Sequence, residues 1–259
     1  MRRLVLILAI LLVPYGVVFA DNFSKVDVKN PLYYYPDFIG KTVEVDNNII
    51  SLDAPKRVAD PAFVPLKITT SHMQKDLFIE KIWVFVDTNP MPLVAVFEFG
   101  EASERADLAF NIRVNEHSFV RAIALTKSGQ LYQANRFVKA SGGCSDPVGT
   151  DITEGRKRLG QMRLGIEKNN PGLVNLKIRH INLTGMQMDQ VTRIRTLPHY
   201  VKSIKASLDG KTVFLAKTGF SVSEDPNFRF YVSSGKARNQ LKIEVLDTES
   251  LKFVNDFSM

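Results

Sequence analysis

Hydrophobic and polar residues alternate in short runs along most of this chain, without the period of a helix. In the first half the runs cover 79–88, 93–99, 108–114 and 119–125, and in the second half 173–181, 201–208, 211–216, 228–232 and 241–245. They are rich in β-branched and aromatic residues and are separated by turn residues. Asp209-Gly210, between two of the runs, is a strong hairpin signal. The pattern predicts antiparallel sheets, and no segment is long enough for the helices of an alternating α/β fold.

The strand pattern stops near residue 141 and resumes near residue 171. Glycine, serine, aspartate and proline come first, followed by a charged stretch over 151–163 with room for one short helix. We therefore expect an all-β protein with two immunoglobulin-like antiparallel β-sandwich domains in tandem. The first domain is expected over 21–145, a linker over 146–170 and the second domain over 171–259.

The amino terminus has the features of a secretory signal. Arg2 and Arg3 precede an apolar run over 4–18, and Ala20 offers a small residue for cleavage. We expect a signal peptide over 1–20, with the mature protein soluble in the periplasm and without a membrane span. An uncleaved anchor is the alternative, although Pro14 interrupts the apolar run.

The charge of the chain is moderately positive. The formal net charge is +7 at pH 7, and two of these charges leave with the signal peptide. The basic residues are scattered and are not interleaved with stacking aromatic residues, as single-strand nucleic-acid binding would require. Nucleic acid is therefore not an expected partner.

Cys144 is the only cysteine, so it has no disulfide partner within the chain. On a core strand the residues two positions away would be apolar, but here they are Gly142 and Asp146. Gly142 and Gly143 also allow unusual backbone conformations. We therefore expect Cys144 in an exposed loop, with a reactive thiol of pKa ~8.5. A buried cysteine that packs as a small hydrophobic residue is the alternative.

The usual enzyme motifs are missing. The chain has no HExxH, CxxC or GxSxG pattern, and we expect no cofactor, no metal site and no enzymatic activity.

Arg136 and Lys139, on the strand that leads to Cys144, are candidates for lowering the pKa of the thiol. A distant histidine could still pair with the cysteine. The four histidines lie far apart in sequence and are each interpreted as surface or structural residues: His72, His117, His180 and His199.

Several segments carry a resemblance to a known family. The first half resembles SoxY, the sulfur-carrier subunit of the bacterial thiosulfate-oxidising Sox system. The second half is similar to its partner SoxZ. The segments resembling SoxY are 62–65, 87–92, 111–114, 120–124, 128–132 and Gly142-Gly143-Cys144, and those similar to SoxZ are 178–185, 208–211 and 223–230. The chain looks most like the fused, quinoprotein dehydrogenase-associated SoxYZ-like carriers, a likeness to which 186–190 contributes.

The resemblance implies a role for the cysteine loop. In SoxY the cysteine carries a sulfur chain on a glycine-rich tail at the carboxyl end. Transferred to this chain, Cys144 is the covalent sulfur attachment site, and Gly142 and Gly143 are the hinge of a carrier loop. Here Ser145-Asp146-Pro147 stands in place of the trailing glycines, and a whole second domain follows.

The resemblance also implies partners. These are periplasmic sulfur-oxidising enzymes, or a quinoprotein dehydrogenase and its cytochrome. Two alternatives stay open. One is a non-catalytic periplasmic accessory protein that binds such a dehydrogenase or cytochrome, and the other is an adhesion or scaffold module.

Overall fold

The structure, a computed structural model, describes residues 35–38, 41–149, 151–188, 193–233 and 239–259. The signal peptide predicted over 1–20 and its cleavage site lie outside the described residues. Within the described residues, no helix has the length and apolar character needed to cross a membrane.

The fold is all-β, with tandem sandwich halves, as predicted. The described strands are β1 (Val43–Val45), β2 (Ile50–Asp53), β3 (Val64–Thr70), β4 (Ile79–Val86), β5 (Leu93–Phe99), β6 (Leu108–Ile112), β7 (Ser118–Thr126), β8 (Leu131–Val138), β9 (Met162–Glu167), β10 (Asn170–Ile178), β11 (Val201–Leu208), β12 (Lys211–Thr218), β13 (Asn227–Tyr231), β14 (Gln240–Asp247) and β15 (Lys252–Ser258). Each of the nine runs read from the sequence overlaps one of these strands. The domain boundaries stay predictions, and β9 falls inside the range expected as a linker.

Helical structure is confined to two short elements in the described residues. A 3-10 turn covers Pro36–Phe38, and α1 covers Ile152–Arg156. The helix begins after Asp151, whose carboxylate accepts a 3.0 Å hydrogen bond from the backbone nitrogen of Glu154. This side chain thereby caps the helix, as aspartate commonly does at this position. This is the short helix that the sequence allowed in the charged stretch over 151–163.

The strands form two sheets. The nine-stranded sheet has the order β1-β8-β7-β4-β5-β12-β11-β14-β15, and the six-stranded sheet has the order β2-β3-β6-β13-β10-β9. Among these described strands, only β1 and β8 pair in parallel, with Val43 opposite Leu131. The other named pairs are antiparallel.

Both sheets run without interruption from the first half into the second. In the larger sheet β5 pairs with β12, and Phe97 lies opposite Ala216. In the smaller sheet β6 pairs with β13, and Ala109 lies opposite Arg229. The described residues belong to one compact unit. Main-chain hydrogen bonds therefore join the two halves side by side.

The hydrophobic core is also continuous across the two halves. Phe97 is fully buried between the sheets. Its ring centroid lies 5.5 Å from that of Phe110 in the first half, and 5.9 Å and 6.1 Å from those of Phe214 and Phe228 in the second half. These edge-on and tilted rings are the arrangement that aromatic pairs prefer. One aromatic cluster thus packs both halves together.

Three irregular segments meet at one end of this sandwich. The first follows β6 and contains Arg113, the second follows β8 and contains Cys144, and the third lies between β12 and β13 and contains Ser221. The cysteine is therefore placed where the two halves meet.

Candidate functional site: the Cys144 loop

The side chain of Cys144 lies beneath a surface loop. Ser141, Ser145 and Pro147 are exposed, whereas Cys144 is 0% exposed. The prediction of an exposed thiol is wrong, because Arg113 from the first half and Thr184 and Ser221 from the second half lie around Cys144. Those residues are distant in sequence, so the local composition around Cys144 could not show them.

The two glycines fix the closed loop. Gly142 has a φ of +87°, a conformation that favours glycine, and its nitrogen donates a 2.6 Å hydrogen bond to the carbonyl oxygen of Asn115. At Gly143 a Cβ atom would lie 2.1 Å from the carbonyl oxygen of Pro61 and 2.7 Å from that of Val114. Gly143 is therefore needed for close backbone packing, and the hinge role of the pair stays a prediction.

Arg113 is the cation beside the thiol. Arg113 is 0% exposed, and its Nη1 donates a 3.1 Å hydrogen bond to the carbonyl oxygen of Gly143. Within the described part of the chain, Nε and Nη2 of Arg113 have no hydrogen-bond partner. Arg136 and Lys139, the cations expected from sequence, are both exposed. Arg113 belongs to a segment that resembles SoxY, but no sequence signal assigned it this place.

The second half supplies two contacts to Cys144. The hydroxyl of Thr184 donates a 2.6 Å hydrogen bond to the Cys144 carbonyl oxygen. The side chain of Ser221 hydrogen-bonds the Cys144 sulfur. Ser221 is held in turn, because Asn89 donates a 3.0 Å hydrogen bond to its hydroxyl. Both halves of the chain therefore build the surroundings of the thiol.

The buried surroundings of Cys144 keep its thiol protonated. Burial raises the pKa of Cys144 to about 11, although the charge of Arg113 and the hydrogen bond from Ser221 act in the opposite direction. The charge of Asp146 raises this pKa further. At pH 7 roughly one molecule in ten thousand carries a thiolate in this closed arrangement. The expected pKa of ~8.5 is thus wrong for the closed loop, because that value belongs to a solvated thiol.

Arg113 is itself affected by the same burial. Burial lowers the pKa of Arg113, whereas the nearby charges of Cys144, Glu224, Asp146 and Asp60 raise it. An arginine side chain nevertheless stays cationic at physiological pH, since its ordinary pKa is so high. A permanent positive charge therefore lies next to the sulfur of Cys144.

A second buried polar group lies in the second half. His180 is 1% exposed and His199 0%, and their ring centroids are 4.8 Å apart. Oδ2 of Asp247 lies 2.8 Å from Nε2 of His199 and 3.4 Å from Nε2 of His180. The fold therefore brings together two histidines that are far apart in sequence. His72 and His117 are exposed, as expected of surface residues.

The position of the ring proton on His180 shows whether the cluster of His180, His199 and Asp247 suits a metal ion. The three candidate ligand atoms lie within 4.8 Å of one another. However, the backbone nitrogen of Asn182 donates a 3.1 Å hydrogen bond to Nδ1 of His180, which places the proton on Nε2. A metal-binding histidine has the reverse arrangement, with a free lone pair on the ligating nitrogen and a donor on the other. The cluster therefore fits a hydrogen-bonded network in which His180 donates to Asp247.

The fold and the cysteine loop together define an all-β protein in which a single buried thiol lies at the junction of two sandwich halves. Family models match the two halves in order: Sulfur oxidation protein SoxY over residues 36–144, and Sulphur oxidation protein SoxZ over residues 163–258. The chain is a fused SoxYZ-like protein. These domains support a carrier role in sulfur oxidation, and the SoxY match ends at Cys144 itself.

Solved structures are similar to this chain only at a low level. A superoxide reductase (neelaredoxin) from Ignicoccus hospitalis has 15% sequence identity over 35% of this chain and 79% of its own, with a TM-score of 0.29. A β-glycosidase from Bacteroides vulgatus has 7% identity over 83% of this chain and 25% of its own, with a TM-score of 0.26. Neither likeness carries an argument about function. No curated protein sequence matches this chain significantly.

Proposed function

We propose that this protein is a periplasmic sulfur carrier that holds a sulfur group covalently on Cys144 and presents it to sulfur-oxidising enzymes, as in Sox thiosulfate oxidation. The observation that carries the proposal is the position of Cys144. It is the residue at which the SoxY match ends, and it lies in a glycine-containing loop at the surface end of the sandwich. The signal peptide expected over 1–20 supports export to the periplasm.

The loading step is a thiol exchange that needs no metal or external redox group. The Cys144 thiol first loses its proton to solvent, and the thiolate attacks the outer sulfur of a donor persulfide. A new S–S bond forms on Cys144, while the S–S bond of the donor breaks and its original thiol leaves as a thiolate. A polythionate reacts in the same way, and thiosulfate is then the leaving group.

The buried thiol requires the loop to open before this exchange. Opening breaks the hydrogen bond from Gly142 to Asn115 and the one from Thr184 to Cys144, both 2.6 Å long. It also returns the thiol to water, where its pKa falls towards the ordinary value and the reactive thiolate rises to about a few per cent of the molecules at pH 7. The closed loop would then protect a carried group from other thiols.

Tetrathionate provides a direct test of loading. We expect the folded protein to gain one thiosulfonate adduct, which intact-mass analysis detects and a reductant removes. Cys144→Ser is the matched control and should gain none. The proposal fails if the folded wild-type protein gains no adduct, while the protein unfolded in urea gains one readily.

One observation favours the accessory function instead. Cys144 is 0% exposed and burial raises its pKa to about 11, which are properties of a structural cysteine. In that case the protein would bind a quinoprotein dehydrogenase or its cytochrome without carrying sulfur. Thiosulfate-dependent oxygen uptake by cells separates the two functions. Uptake is lost with Cys144→Ser if the protein is a carrier, and retained at the wild-type rate if it is not.

A further inference from the structure

The guanidinium of Arg113 lies beside the cysteine loop, and two of its nitrogens have no hydrogen-bond partner among the described residues. Nη1 is engaged with the carbonyl oxygen of Gly143 at 3.1 Å, which anchors the guanidinium next to the residue preceding Cys144. Nε and Nη2, which lie on one edge of the guanidinium plane, have no hydrogen-bond partner among the described residues although the residue is 0% exposed. Buried donors are normally paired, since leaving them unpaired is costly.

We infer that this free edge of Arg113 is a subsite for the anionic end of the sulfur group carried on Cys144. The inference rests on the proposed carrier function. A thiosulfonate or a persulfide anion on Cys144 would offer the negatively charged acceptors that the edge lacks. Two parallel N–H groups of a guanidinium can bind two oxygens of the thiosulfonate in bidentate fashion, whereas a persulfide anion offers its terminal sulfur. Arg113 would thereby hold a loaded group in the closed loop.

The charges around Cys144 predict in which direction two substitutions change the retention of an anionic adduct. The charge of Arg113 favours a negative sulfur at Cys144, and the charge of Asp146 disfavours it. Glu224 also acts on Arg113 through its charge, and its Oε2 accepts a 2.7 Å hydrogen bond from the nitrogen of Gly149. Retention of an anionic adduct should therefore weaken when the edge of Arg113 is removed and strengthen when the charge of Asp146 is removed.

Two adducts on the same sulfur separate charge from size. Tetrathionate leaves an anionic thiosulfonate on Cys144, with thiosulfate as the leaving group. Methyl methanethiosulfonate leaves a neutral methyl disulfide, with methanesulfinate as the leaving group. Each adduct is then removed with dithiothreitol, and the rate in each variant is compared with the wild-type rate for the same adduct, so that intrinsic reactivity cancels.

Arg113→Lys keeps the charge but lacks the bidentate edge. We expect it to release the anionic adduct about tenfold faster than the wild-type protein, as loss of a charge-assisted hydrogen bond implies, and the methyl adduct at a nearly unchanged rate. Asp146→Asn should slow release of the anionic adduct only. Equal changes for both adducts, or no change for either, would overturn the inference while leaving the carrier function intact.

The wild-type protein alone provides a second measurement, in case Arg113→Lys does not fold. The anionic adduct should give a higher Tm than the methyl adduct, and an equal or lower Tm would contradict a subsite at Arg113. A folded protein that accepts neither reagent would instead overturn the proposed carrier function, and the inference with it.

Discussion

The hydroxyl of Thr184 lies 2.6 Å from the carbonyl oxygen of Cys144 and donates a hydrogen bond to it. Thr184 belongs to the part of the chain matched by SoxZ, whereas Cys144 ends the part matched by SoxY. The second half thus holds the loop that the first half contributes. Exposure of the thiol is set by contacts between the halves as well as by the glycines of the loop itself.

Replacing Thr184 with valine should open the Cys144 loop more often. The substitution keeps the shape of the side chain but removes the hydroxyl that bonds the Cys144 carbonyl oxygen and also bonds Gln187 and the Met186 nitrogen, so the closed state loses at least about 1 kcal/mol. We expect alkylation of Cys144 by iodoacetamide to become severalfold faster. Thr218→Val is the matched control, because Thr218 makes the same 2.6 Å bond to the carbonyl oxygen of Val201, away from the loop. Equal rates in both variants would contradict this role.

Gly143→Ala should displace the loop by steric conflict. The new Cβ would lie 2.1 Å from the carbonyl oxygen of Pro61, an approach that real Cβ atoms do not make. Overpacking of this kind costs about 1–3 kcal/mol, measured as a loss in the free energy of unfolding. Gly165→Ala is the control, because its Cβ would have no neighbour closer than 3.9 Å. A Gly143→Ala variant as stable as the wild type would show that the close contact is relieved at no cost.

The buried thiol predicts a loss of stability at high pH. The pKa of Cys144 rises from 9.0 to about 11 on folding, mainly through burial. Above pH 9 the unfolded chain releases the thiol proton while the folded chain retains it, so unfolding becomes easier up to about pH 11. The loss amounts to roughly 3 kcal/mol. Urea unfolding of the wild type and Cys144→Ser at pH 8 to 11 measures it, and parallel curves for the two proteins would refute the prediction.

The buried histidine pair predicts a loss of stability at low pH. Burial and the neighbouring His199 lower the pKa of His180 from 6.5 to about 4, against the effects of Asp247 and Asn182. Between pH 6.5 and 4 the unfolded chain therefore binds a proton that the folded chain does not. The free energy of unfolding should fall by roughly 3 kcal/mol as the pH falls through this range.

Urea titrations over the same range check this prediction for His180. The difference between pH 6.5 and pH 4 should shrink in His180→Gln and persist in His72→Gln, which changes an exposed histidine. Burial raises the pKa of Asp247, but hydrogen bonds from His199, from the Leu251 nitrogen and from His180 hold it below 3.8. Protonation of this carboxylate therefore affects stability only at lower pH. If the free energy of unfolding of His180→Gln falls with pH as steeply as that of the wild type, the effect belongs to another group.

Phe97→Ala should weaken both halves of the chain together. Phe97 contacts aromatic rings from both halves, and removing a buried phenylalanine ring costs about 3–5 kcal/mol. Hydrogen exchange followed by mass spectrometry should show faster exchange in strands of both halves. Val254→Ala, at a residue 48% exposed, is the control and should change neither half. Faster exchange in the first half alone would indicate that the halves are independently stable.

The strand pattern was predictable because alternation and turn residues are local signals. The runs over 79–88 and 211–216 each became a strand, and Asp209-Gly210 became the turn between β11 and β12. Six of the described strands were not among the runs read from the sequence: β1, β2, β3, β8, β9 and β15. The resemblance of 62–65, 111–114 and 142–144 to SoxY also depended on sequence alone, and the family match supports it.

The place of Cys144 could be decided only by the tertiary structure. Glycines and polar residues around a cysteine favour an exposed loop when only neighbours in sequence are considered. The groups that hold the loop and lie around Cys144 are Arg113, Thr184 and Ser221, which come from other segments of the chain. Burial and the pKa of a thiol depend on every atom that packs around it, whereas a local pattern reports only the path of the backbone.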